Sequence, residues 1–241
     1  MLTPREPQAL NRRLVFILLL GTLVSVGYCV LLSFAHPFVV ASPETLASIE
    51  VTEGQRAELL SARFTSEIYA YSVFGLLLCA SVALVGSHPS NFRHRVLSVL
   101  VGCVLGALAG AVSGLIGHAF HDSLVAIVAD PMVHLFLRLS AMLLPVAIAV
   151  GLSTSFACHS KVVIPNAVMG AVMGAELSAL VYGVLAGVVT PLENVANIFP
   201  AHMENRYLLF VTAFLAIGIV DLIQAARTPS REHDKANAVV T

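Results

Sequence analysis

Few residues in this sequence could do chemistry, and most of them gather in two places. His118, His121 and Asp122 stand at spacings of three and four, so on one helix they converge towards a common point. His134, His202 and Asp130 fall at the same predicted depth on the same side of the chain, with His36 and Glu193 nearby. Imidazole and carboxylate together suit zinc, iron, nickel or copper. The group is therefore a candidate site for a divalent transition metal or for recognising a small cationic solute. The plainer reading is a set of interfacial histidines in a chain that has no tryptophan.

The second place is Glu176, midway along an apolar stretch. A charged carboxylate at the centre of a bilayer costs roughly 2.5–3.5 kcal/mol on insertion scales. Glu176 must then be protonated, paired or facing water, which makes it a candidate for coupling to a proton or an ion. The structural alternative is a neutral glutamic acid hydrogen-bonded across helices, for instance to Ser113. Arg138 lies a turn inside another apolar stretch, where it could form an ion pair with Asp122 or Asp130. Asp221, near the end of the last stretch, can snorkel to the surface.

The elements that must hold these residues follow from composition. The chain is 58% hydrophobic and 11% charged, against roughly 25% charged in a typical soluble domain. A soluble core of this size cannot absorb so much apolar side chain. The net charge of −1 and the lack of a basic patch exclude a nucleic-acid binder. The four cysteines form no CxxC pair, and three lie inside apolar runs, so no disulfide framework or redox site is expected. The first apolar run is longer than the ~7–15 residues of a signal-peptide core, which favours a retained first span.

Six stretches fit a ~20-residue crossing, near 14–35, 68–87, 96–118, 134–157, 164–189 and 207–226. The expected fold class is all-α: a polytopic integral membrane protein, a six-transmembrane-helix bundle with glycine-rich central helices. With the N-terminus inside, nine Lys and Arg residues fall on the inner side and four on the outer. That asymmetry predicts cytoplasmic termini, with 1–13 as a cytoplasmic N-terminus and 227–241 as a disordered cytoplasmic tail. A bacterial inner membrane is the default location, since no targeting motif points elsewhere. The outer segment 43–67 carries two helix starts, Ser42-Pro43-Glu44 and Thr52-Glu53-Gly54-Gln55 with capping-box spacing. It is either a surface helix leading into the second span or a docking surface for a second copy or another membrane partner.

Gly102, Gly106, Gly110 and Gly114 form one small-residue row, and Gly170 and Gly174 begin another. Such rows let helix backbones approach closely, and the reading pairs the third span with the fifth at the centre. The units of paired spans also hint at a parallel repeat. No nucleotide-binding or protease motif is present. The leading expectation is a permease-like protein, or the membrane subunit of a transporter, for a cation or small solute. A membrane metal- or haem-binding enzyme and a non-catalytic membrane scaffold are the alternatives.

Overall fold

The computed structural model describes residues 6–47, 52–87, 92–125, 130–158, 163–189, 200 and 203–226, with the side chains of 6–10, 121–125, 189 and 203 excepted. The described residues are all helical or connecting, with no strand among them. Seven helices follow in order: α1 (Glu6–Ala35), α2 (Pro43–Ala47), α3 (Glu53–Gly86), α4 (Phe92–Val125), α5 (Pro131–Ala157), α6 (Ile164–Val189) and α7 (Met203–Ala226). All but α2 are long and apolar enough to cross a membrane. The tail 227–241 lies outside the described residues.

Local chemistry sets several of the helix starts. Thr52 caps α3 through a complete capping box: its hydroxyl accepts from Gln55 N, and the Gln55 side chain accepts from Thr52 N. Asp130 caps α5, its Oδ1 accepting from Met132 N at 2.8 Å and Val133 N at 3.2 Å, with Pro131 in the first turn, where no amide proton is needed. Within the segment 43–67, the described parts 43–47 and 52–67 are tied to one another. α3 runs unbroken from Glu53 through to Gly86, and Glu58 ties α2 onto it by accepting from the Ser42 amide and the Thr45 hydroxyl. Two turns further along α3, the Ser66 hydroxyl takes both backbone groups of Val39, at 2.9 and 3.1 Å.

The six long helices alternate in direction. We call the end that holds 36–47 the upper end. α3, α5 and α7 run downwards and pack on one another, forming an inner trio. α4 fits between α3 and α5, α6 between α5 and α7, and α1 between α7 and α3. The result is three helix pairs, each with its second long helix inside.

The arrangement corrects the expected pairing of the third and fifth spans. α4 turns its glycine row to α3, and α6 turns its own to α7. A β-carbon on Gly106 would lie 2.1 Å from the Gly75 carbonyl oxygen, and one on Gly110 would lie 2.0 Å from that of Tyr71. Gly102 meets Cys79 in the same way, and Gly114 meets Ile68. On the other side, Gly170 faces Val220 and Gln224, and Gly174 faces Ala216 and Ile217. A stripe of small residues fits any partner with a complementary ridge, so the stripe alone does not name the helix it meets. The centre belongs to α3, α5 and α7, and the glycine-rich α4 is among the most exposed helices of the bundle.

Substitution at this seam should be costly. Gly106→Ala must push α3 and α4 apart along their whole contact, and overpacking of this kind destabilises by about 1–3 kcal/mol or more. Gly183→Ala is the control, because nothing lies within 4 Å of a β-carbon there. Thermal unfolding in detergent should show a clear loss for Gly106→Ala, and no loss or a small gain for Gly183→Ala.

Candidate functional site: two buried polar layers

Polar groups enter the interior of the trio at two levels. The upper level is built on Glu67 of α3, which is 2% exposed. Arg63, one turn earlier on the same helix, donates from Nε to Glu67 Oε1 at 3.0 Å. On α4, His118 Nε2 lies 2.9 Å from Glu67 Oε2, and its ring stands edge-on to Phe64 with centroids 4.3 Å apart. Arg138 of α5 is also 2% exposed and lies in electrostatic range of Glu67, Tyr71 and Tyr182. Four helices thus bring charged or hydroxyl side chains to one region.

The histidines divide accordingly. His118 belongs to Glu67. His134 is buried near the top of α5. Among the described residues, no three His, Cys, Asp or Glu side chains come together as a metal site. The side chains of His121 and Asp122 are not described, and His202 and Glu193 lie outside the described residues, as does any convergence that depends on them. Asp130 is occupied as the cap of α5. Arg138, for its part, lies in range of Glu67.

His36 follows directly on α1, at the rim of the upper layer. Partial burial and the nearby Arg206 hold its pKa below the usual 6.5, and Glu67 pulls the other way. Arg206, at the top of α7, is anchored by donating from Nε to the Pro200 carbonyl at 2.7 Å.

Below this layer the interior is apolar. Tyr28, Phe74 and Phe210 stack together, with Phe210 centred 4.7 Å from each of the other two rings. Leu78, Met142, Val146, Phe214 and Ile217 continue the plug, all at most 3% exposed. The Tyr28 hydroxyl reaches across to donate to the Ala70 carbonyl, so even this ring's polar tip is satisfied.

The lower layer centres on Asp221 of α7. Sequence reasoning let this residue snorkel; the structure turns it inwards, at 0% exposed. Its Oδ2 is hydrogen-bonded to the Thr154 hydroxyl of α5. Ser153 and Cys79 complete the layer, both fully buried. Thr154 stands sixteen residues below Arg138 on α5, about 24 Å along the helix axis at 1.5 Å per residue.

Glu176 is in neither layer. It is partly buried at the seam of α5 and α6, where the Ser140 hydroxyl donates to its Oε2 at 2.7 Å. Its partner is thus a serine of α5, and the expected Ser113 sits buried on α4 instead. Sequence reasoning missed Glu67, which entered it only as the end of the outer segment 43–67; Arg63 four residues before it gives the spacing of an ordinary helical ion pair. The only hint was that α3 turns apolar directly after it.

Comparison with protein-family models, curated proteins and solved structures gives no match for this chain.

The position of His36 generates a pH prediction. Below about pH 6.5 the unfolded chain takes up a proton that the folded protein resists at this position. The contribution is intact above that value and is lost as the pH falls through the lower folded pKa. Thermal unfolding in detergent should therefore show stability declining on acidification through this window. His36→Gln should flatten the decline without lowering stability at pH 8.

Proposed function

We propose that the protein is an integral membrane carrier of the permease type, moving a cation or small solute, with Glu67 as its principal ion-coupling group. The observation that supports this reading most is the stacking of polar layer, apolar plug and polar layer within one trio of parallel helices. A carrier that opens to each side in turn needs polar groups inside the bundle that can take up its solute and an apolar barrier that closes the path between the two sides. A scaffold needs neither a buried charge cluster nor a buried carboxylate. Ionisable side chains inside apolar helices are expensive and mark pathways more often than packing. The apolar outer faces suit lipid: Leu19, Leu23, Val104, Leu108, Val184 and Val188 are each at least 60% exposed, and a water-soluble surface seldom carries so much contiguous apolar area.

The coupling role passes from Glu176 to Glu67 because Glu67 is the more deeply buried and lies on an inner helix. Glu176 keeps a lesser part in this reading, holding α5 to α6 through Ser140. In this reading the membrane is a bacterial inner membrane, both termini are cytoplasmic, as the charge asymmetry of the connections favours, and the upper layer faces outwards. His118 and Arg138 are the basic groups that face Glu67 from α4 and α5, and His134 lies buried near the same end of α5.

Solid-supported-membrane electrophysiology on purified protein in liposomes tests the proposal. A panel of alkali, alkaline-earth and small organic cations is applied at several pH values. At least one should produce a transient current that empty liposomes lack, and Glu67→Gln should reduce it by tenfold or more. Absence of current across the panel from folded protein, or full current in Glu67→Gln, contradicts the reading.

A further inference from the structure

The lower layer presents a chemical problem that the upper layer does not. Glu67 has Arg63, His118 and Arg138 around it. Asp221 has no cation: among the described residues no Lys, Arg or His nitrogen pairs with it. Its Oδ1 has no hydrogen-bond partner among them, and Oδ2 has the Thr154 hydroxyl alone. Ser153 cannot supply the missing donor, because its hydroxyl is spent on the Ala149 carbonyl at 2.7 Å. The neighbouring groups from other helices are the Cys79 thiol on α3 and, near the bottom of α5, Cys158, with Arg13 of α1 beyond it.

An ionised carboxylate accepts hydrogen bonds at about four positions. Burying one with a single hydroxyl donor and no counter-charge costs several kcal/mol, so the usual outcome is that the group takes up a proton. Protonation resolves the geometry here. A carboxyl O–H on Oδ2 donates to the Thr154 oxygen, and Oδ1 is left as a neutral carbonyl, which tolerates an apolar site far better than a charge does.

We propose that Asp221 is a proton-binding site, which carries its proton at neutral pH, bonded to Thr154, and exchanges it through the lower face of the bundle. Asp221 is five residues from the end of α7, about 7–8 Å of helix rise from the surface. Exchange therefore needs only a small opening between α7 and its neighbours. The assignment stands on this layer alone and holds whether or not the protein carries a solute.

The test is reactivity towards dicyclohexylcarbodiimide, an apolar reagent that attacks protonated carboxyls in apolar surroundings. The carboxyl oxygen adds to the carbodiimide carbon while the acid proton passes to its nitrogen; an acyl shift then gives a stable N-acylurea with no leaving group. Purified protein in detergent is treated across mildly acidic to alkaline buffers, and the peptide bearing Asp221 is followed by mass spectrometry. Asp221 should be modified at neutral pH, and the rate should fall about tenfold per pH unit once the group ionises. Sodium, potassium or lithium should give no protection.

Infrared spectroscopy supplies the second readout. A protonated-carboxyl C=O band should be present at neutral pH, absent in Asp221→Asn and shifted in Thr154→Val. Asp221→Asn keeps the shape and neutrality of the site and should fold with unchanged or higher thermal stability. An Asp221 that is inert to the reagent and shows no carboxyl band is ionised, and the proposal fails. Protection by an alkali cation also overturns it, assigning the site to that cation instead.

Discussion

A carboxylate buried at the upper end of an apolar bundle must be neutralised where it sits, and Glu67 makes that demand on the helices around it. Water cannot reach it and the lipid-like surroundings cannot solvate it, so other helices must supply the charge. Arg63 answers from the same helix but is half in solvent, which screens its contribution. His118 answers from α4 and Arg138 from α5. His118 can reach only because Gly106, Gly110 and Gly114 let α4 lie directly on the α3 backbone. A seam that looks like packing for its own sake is therefore also what brings the imidazole to within 2.9 Å of the carboxylate.

From that pairing the rest of the architecture follows. With α4 and α5 held to α3 on one side, α7 closes the trio through its aromatic face, Phe210 against Phe74 and Tyr28. α1 and α6 cover the remaining edges, α6 through the close approach of Gly174 to Ala216 and Ile217. The interior is thereby divided into a charged upper layer, an aromatic and aliphatic plug, and a sparsely bonded lower carboxyl. The two layers differ in kind. The upper one balances charge with charge, and the lower one has one hydroxyl partner and no counter-charge among the described residues.

Much of this was legible in the amino-acid order, and the reasons for the remainder are physical. Length and hydropathy are one-dimensional properties, so the six long apolar helices could be read directly, as could the Thr52–Gln55 capping box. Which helix meets which is a property of surfaces. The row 102–106–110–114 predicts a close neighbour, and it has one in α3, but a row without side chains carries no mark of its partner's identity. Rotation about the axis is equally hidden in helices that are apolar on every side. That is why Asp221 read as a snorkelling residue and Glu67 did not stand out, while Glu176, conspicuous at mid-span, proved to be partly exposed with a serine partner. The outer histidines illustrate a third limit: helical spacing brings His118 towards His121, yet among the described residues the carboxylate that His118 meets is fifty-one positions earlier in the chain.

The central claim is that the Glu67–His118 contact across α3 and α4 is an energetic coupling and not a coincidence of packing. A double-mutant cycle measures it directly, using Glu67→Gln, His118→Gln and the pair, with thermal unfolding in detergent just below neutral pH. The account predicts that each single change destabilises, and that the double variant is more stable than the sum of the two by about 1 kcal/mol or more, within the range for groups in direct contact. Additivity to within about 0.3–0.5 kcal/mol, the behaviour of sites that do not interact, would contradict it.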